Sequence, residues 1–333
     1  MCWPSAEAGP AVIPGLDPVT YRRHAIHGDD RTWAETNCYT DLLVEMLHAL
    51  GHEPEAMLAF TLAADFEGDQ WTFFKPRACE IDDLYGLEIQ ELALWRPLAE
   101  HFAEQVEAGH ALLAEVDSYY LPDTAGTAYR RTHTKTTIGV NAIDLERRRL
   151  GYFHNAGYFA VEGDDFDDLL HVRGLPHQRV LPPYVEFVKQ RPGVTPLRGD
   201  ALTSAALALL EWHCVRAPRE NPFPRFKARM ASDLPWLMAG DIERFHAYSF
   251  ATLRQFGACY ELASTFLSWL ARRGVAEAAA PAASLRQLSE ESKALQFQLA
   301  RSMARRKPLD LEPIDRMGQL WQGAMQALPV LNA

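Results

Sequence analysis

Cys38 stands at the head of an apolar run, Leu42, Leu43, Met46, Leu47 and Leu50, that recurs at helical spacing and stops at Gly51. The pattern predicts a helix whose first turn holds a cysteine, with Asn37 or Thr36 as the N-cap that accepts a hydrogen bond from the free backbone N–H groups. A thiol attacks carbonyl carbon as the thiolate, and a free cysteine of pKa ~8.5 is mostly protonated at neutral pH. A helix N-terminus favours negative charge, and a histidine able to form an ion pair favours it further. Glu35 and Asp41 oppose that shift, so the histidine must carry much of it. Cys79, Cys214 and Cys259 lack this setting: the last two fall in or beside helical apolar patterns, and Cys79 falls in a charged segment read as a loop.

Among twelve histidines His133 is the best base, because it opens an alternating segment, Thr134–Ile143. There Thr134, Thr136, Ile138, Val140 and Ala142 share one face and His133, Lys135 and Thr137 the other. A base of this kind needs a third group to hold its reactive tautomer by accepting the other ring N–H. In Tyr152–Gly157 the strand period sets His154 and Asn155 on opposite faces, and Asn155 is the first choice because an amide oxygen accepts well; His154 remains a contender. Asp117 is the alternative orienter, or a site for a substrate amine. Gln70 is a candidate oxyanion donor beside the Cys38 backbone N–H, and Asp69, Trp71, Tyr120, Asp123 and Lys135 are further candidates for catalysis or substrate binding. Packing and turn chemistry account equally well for Asp69, Trp71 and the Tyr119–Asp123 loop. A metal set of His133, His154 and Asp117 lacks HExxH-type spacing, so no metal or bound cofactor is expected.

These groups need a scaffold, and the chain is long enough to supply one. It has 333 residues, 48% hydrophobic, with a net charge of −11 that argues against broad nucleic-acid binding. Five cysteines without CxxC spacing read as reduced thiols. No apolar run approaches the roughly 20 residues of a membrane span, and the N-terminus lacks a leader pattern, so a cytoplasmic protein without a membrane partner is expected. Residues 1–30 read as an irregular surface arm, 31–180 as a catalytic domain of helix and small hairpin-linked sheet, 181–200 as a Pro-bearing connection and 201–333 as a helical domain. Helices are predicted over 95–108, 205–215, 242–256, 260–272, 284–306 and 314–328, strands over 111–116, 134–143 and 150–154, and a loop over 274–283. The fold class is α+β.

The segments Trp33–Tyr39, Asp65–Lys75, Glu115–Asp117, Leu121–Gly126, His133–Thr137 and Tyr152–Tyr158 together resemble a bacterial family of unknown function, DUF1839, over most of the chain. More distantly they are similar to the butirosin-biosynthesis acyltransferases. That resemblance implies a papain-like N-terminal domain with Cys38 as nucleophile and His133 as base, followed by a helical C-terminal part. It implies transfer of an acyl or aminoacyl group from the 4'-phosphopantetheine thioester of a partner carrier protein to a small amine or alcohol acceptor. Where the relatives carry an acid after the next strand, this chain has His154 and Asn155. A papain-like peptidase or amidase, with water as acceptor, and a non-catalytic binding scaffold of the same fold are the competing readings.

Overall fold

The computed structural model describes residues 10–172 and 183–328. Cys2, the start of the N-terminal arm and the first residues of the expected connection lie outside them. The chain forms two compact units: residues 1–28, 37–54 and 78–196 make one, and residues 29–36, 55–77 and 197–333 the other. The chain is α+β, with an antiparallel sheet in the first unit and a helical C-terminal region in the second.

The sheet unit opens with helix α1, Cys38–Ala49. Asn37 caps it as the pattern predicts, its side chain accepting from the Thr40 N–H at 2.9 Å. Helix α2 spans Ala78–Tyr85 and strand β1 Leu87–Glu91. Helix α3, Leu98–Glu107, is shorter than its apolar pattern suggests because Pro97 precedes its first turn. Strands β2 (Ala111–Asp117), β3 (Lys135–Asp144), β4 (Arg149–His154) and β5 (Gly157–Glu162) follow, then helix α4, Asp164–Leu169, and strand β6, Val185–Gln190.

The six strands run in the order β1-β6-β2-β3-β4-β5, each pair antiparallel. Strand β6 thus fills the gap between β1 and β2, in a stretch expected to be a plain connection. One face of the sheet packs against α3 and α4: Leu112, Ala114, Val116, Ile138, Val140 and Tyr152 join Phe102 and Phe166 in a single buried cluster. Alternation sends Leu113, Glu115, Asp117, Lys135, Thr137 and Gly139 to the opposite face, where α1 packs over β3, β4 and β5. Gly139 lies directly under that helix: a Cβ there would stand 3.4 Å from Phe153 Cβ and 3.5 Å from Leu42 Cδ1, ordinary van der Waals contact.

The N-terminal arm is more than a surface strap. Val12 N–H donates to the Asn141 carbonyl at the β3 bulge, and Ile26 and His27 are buried. His27 lies between two carboxylates of α1, with Nδ1 2.5 Å from Glu45 and Nε2 3.3 Å from Asp41. Tyr21 hydroxyl donates to the same Glu45 at 2.7 Å.

The helical unit comprises α5 (Gly199–Cys214), α6 (Pro222–Met238), α7 (Ile242–Ser249), α8 (Gln255–Arg272), α9 (Ala279–Arg305) and α10 (Glu312–Ala327). A π-turn, Phe250–Arg254, joins α7 to α8 with no loop between them. Helix α9 begins inside the segment expected to be a loop, since Pro281 in its first turn lacks only an N–H that has no helical partner there. Residues 29–36 and 55–77 belong to this unit: Trp33 Nε1 donates to Ser289 Oγ at 3.0 Å, and Trp71 stands 4.8 Å from Phe256, ring centre to ring centre, in a cluster with Phe66, Phe223 and Phe226.

Candidate active site

Cys38 occupies the first helical position of α1, half-buried, directly after the Asn37 cap. Its neighbour Tyr39 donates through its hydroxyl to Glu186 Oε2 at 2.8 Å, and Glu186 lies opposite Leu113 in the β2–β6 register. The start of α1 therefore lies over β2 and β6, on the face that also presents Glu115 and Asp117. Asp117 ends β2, paired with Lys135.

Asp117 closes the loop that follows. Its Oδ1 accepts from Tyr119 N–H at 3.0 Å and from Thr134 N–H at 3.3 Å, which ties the two ends of the 118–134 loop together. Its Oδ2 stands 2.6 Å from His133 Nδ1. A carboxylate only accepts, so Nδ1 carries the proton and donates, which leaves Nε2 as the free lone pair of the neutral ring. The His133 ring stacks on Tyr119, centroids 4.3 Å apart and planes 12° from parallel, and meets Tyr120 edge-on at 6.3 Å. His133 is exposed, its side chain 66% accessible. It lies just before β3, which begins at Lys135, and Lys135 Nζ pairs with Glu115 at 2.6 Å.

Asn155 and His154 take other places. Asn155 stands in the turn between β4 and β5 with φ of 44°, a left-handed conformation that asparagine tolerates, and Asp117 rather than Asn155 accepts the His133 N–H. His154 is directed to the α3–α4 face, with Nδ1 2.6 Å from Asp123 Oδ2 and Nε2 2.8 Å from Thr136 Oγ1. Asp123 also accepts from Tyr152 hydroxyl at 2.5 Å. This network fastens the middle of the 118–134 loop to β3 and β4, so the residues that carry Tyr119 and His133 are held from beneath. His133 and His154 thus belong to different carboxylates, and among the described residues no group of three or more His, Cys, Asp or Glu could hold a metal ion.

Gln70 and Asp69 are exposed in a turn of the helical unit, bracketed by the bridged pair Phe66 and Trp71. Trp71 serves the aromatic core there. Cys38 makes no hydrogen bond to His133; the structure brings His133 and Asp117 together and places the cysteine in the same unit. The other described thiols differ: burial pushes Cys214 up to about 11, with Glu211 adding to it, and burial raises Cys259 further, while Cys79 proves to be exposed in the first turn of α2 rather than in a loop.

Sequence reasoning missed His27 as a partner of α1. The signal was present: Asp41 and Glu45 fall one turn apart on a helix whose surroundings are apolar, and two buried carboxylates require a cation or donors.

Residues 22–190 match the DUF1839 N-terminal domain and residues 199–329 the DUF1839 C-terminal domain. The chain belongs to the DUF1839 family. No match to a curated protein was found. Among the described residues no helix is long and apolar enough to cross a membrane.

Proposed function

We propose that this member of the DUF1839 family is a cysteine-dependent acyltransferase with a papain-like arrangement of Cys38, His133 and Asp117. The observation that carries the reading is the His133 Nδ1 to Asp117 Oδ2 contact of 2.6 Å, which orients the ring and leaves Nε2 directed away from its carboxylate. Support also comes from the place of Cys38 at the first position of a helix capped by Asn37, half-buried rather than sunk in the core. The reading requires Cys38 and His133 to draw together when donor binds, since catalytic hydrogen bonds often tighten only in the substrate complex.

The reaction has two halves. His133 Nε2 takes the Cys38 proton, and the Cys38 thiolate attacks the thioester carbonyl of an acyl or aminoacyl group on the phosphopantetheine of a carrier protein; the C–S bond to the carrier breaks and the carrier thiolate leaves with that proton, returned by His133. The acceptor amine or alcohol then attacks the acyl-cysteine, His133 Nε2 takes its proton, and Cys38 departs as thiolate. The backbone N–H of Cys38, at the first position of α1, stabilises the tetrahedral oxyanion in each half.

Intact-mass analysis of the full chain after incubation with a panel of acyl- and aminoacyl-carrier thioesters tests this. The expected result is one acyl adduct on the native chain, none on Cys38→Ala, and faster loss of the adduct when an amine is added. Loss at the same rate with and without amine makes the protein a hydrolase. No adduct from any thioester, with iodoacetamide showing no preference for Cys38 over exposed Cys79, makes it a binding scaffold.

A further inference from the structure

Helix α8 is buried along most of its length, yet one stripe at helical spacing is polar: Glu261, Ser264, Thr265, Ser268 and Arg272. A solvated face would explain the stripe if its members were exposed, but Glu261 and Ser264 are only 4% and 5% accessible. The stripe borders a cavity of about 190 Å³ within the helical unit, and Arg31 and Arg286 complete its walls.

The charged groups around that cavity are mostly arginine. Three guanidinium groups face one carboxylate, and the carboxylate is engaged: Glu261 accepts from Thr32 N–H at 2.8 Å and Trp33 N–H at 2.9 Å, with Arg31 Nε 3.5 Å away. Arg31 is held in place by donating from Nη1 to Thr265 Oγ1 at 2.7 Å. Arg272 and Arg286 stand at the exposed rim, in pairs with Glu55 at 4.0 Å and Glu290 at 3.2 Å. The Arg286 pair is exposed on both sides, and such a pair contributes little. Such a concentration of arginine is notable in a chain whose net charge is −11.

We propose that this cavity binds an oxyanion of the phosphate class, with Arg31 at its floor, Arg272 and Arg286 closing over it, and Ser264 and Ser268 as hydroxyl donors. Guanidinium forks bind phosphate oxygens in pairs, and donors from several directions suit a tetrahedral anion better than a planar carboxylate. With the two rim pairs opened, three arginines against Glu261 leave a charge of about +2, which matches a phosphate of charge about −2. The volume is far above the ~10–15 Å³ that one water needs, which leaves room for phosphate or a small monoester. This assignment does not rest on acyl transfer and stands or falls separately from it.

Isothermal titration of the full chain with inorganic phosphate, and separately with glycerol phosphate, at constant ionic strength decides the matter. The expected result is saturable one-to-one binding that weakens about tenfold or more in the double variant Arg272→Gln, Arg286→Gln, since each lost charge-assisted bond is worth more than a neutral one. Both positions are exposed, so the ligand-free melting temperature of the variant should match the native chain. Tighter binding of glycerol phosphate assigns the site to a monoester, and tighter binding of phosphate assigns it to the free ion; either supports the proposal. Equal affinity in the double variant, or no saturable binding to the native chain, overturns it.

Discussion

The sheet unit contains two histidine–aspartate pairs with the same contact and opposite surroundings. His133 meets Asp117 at 2.6 Å with a side chain 66% accessible, and His154 meets Asp123 at 2.6 Å with a side chain 2% accessible. Distance does not separate them; the second ring nitrogen does. His154 spends Nε2 on Thr136, so the ring is satisfied at both ends and acts as a strut between β3, β4 and the 118–134 loop. His133 directs Nε2 away from its carboxylate and makes no further hydrogen bond with it. The pair that is closed holds the fold, and the pair that is open can move a proton.

Breaking the closed pair should therefore cost the most stability. His154→Ala leaves the Asp123 carboxylate and the Thr136 hydroxyl buried without their partner, and removal of one member of a buried pair costs about 3–5 kcal/mol. Urea unfolding is expected to show a free energy lowered by that amount, read as a lower midpoint at an unchanged slope. A loss below about 1 kcal/mol, the range of exposed pairs, would erase the distinction between the two sites.

A third histidine of the sheet unit, His27, is buried like His154 and sharpens the same contrast by its response to pH. Burial alone would lower the His27 pKa, but hydrogen bonds and charge from Asp41 and Glu45 outweigh it and raise the group from 6.5 to about 9. A raised folded-state pKa gives stability that is fully present below pH 6.5 and is lost as pH rises through about 9. The difference corresponds to a loss on the order of 3 kcal/mol across that window. Urea midpoints of the native chain should fall across it, and His27→Gln should flatten the dependence. A native midpoint that does not move between those limits means the ring is neutral between its two carboxylates.

Helix α1 and strand β3 were legible in the sequence because their periods are strong and local: Leu42 to Leu50 repeat with the helical turn, and Thr136, Ile138 and Val140 alternate. Strand β6 was not, because its partners lie far away in sequence. Val188 pairs with Ile89 and Ala111, while its own neighbours Glu186, Lys189 and Gln190, near prolines, read as connection. The Asp65–Lys75 run was legible as a unit but not by location, since a tryptophan among polar residues looks the same lining a pocket or packing on Phe223 and Phe256. Asp117 and Asn155 were both visible as orienters. Choosing between them required knowing that residue 155 forms a two-residue turn and that the 118–134 loop folds back onto the end of β2, facts of long-range register that no local pattern carries.

That choice yields the prediction with the smallest effect on stability and the most direct bearing on chemistry. Asp117→Asn keeps the shape of the side chain and an oxygen for the Tyr119 and Thr134 N–H groups, so the loop should hold, with a stability change within about 1 kcal/mol for an exposed pair. What the amide cannot do is fix the ring proton on Nδ1; its NH₂ can donate there instead and favour the tautomer whose Nε2 bears the proton, which is useless as a base. Turnover with an acyl-carrier donor should fall by roughly one to three orders of magnitude, within the ~10⁴ loss seen when a triad's orienter is replaced. Asn155→Gly is the matched control, because glycine accepts the φ of 44° while removing the amide. It should leave turnover near the native value. A large loss with Asn155→Gly and a small one with Asp117→Asn would return the orienting role to Asn155 and leave the open His133 pair as a surface contact.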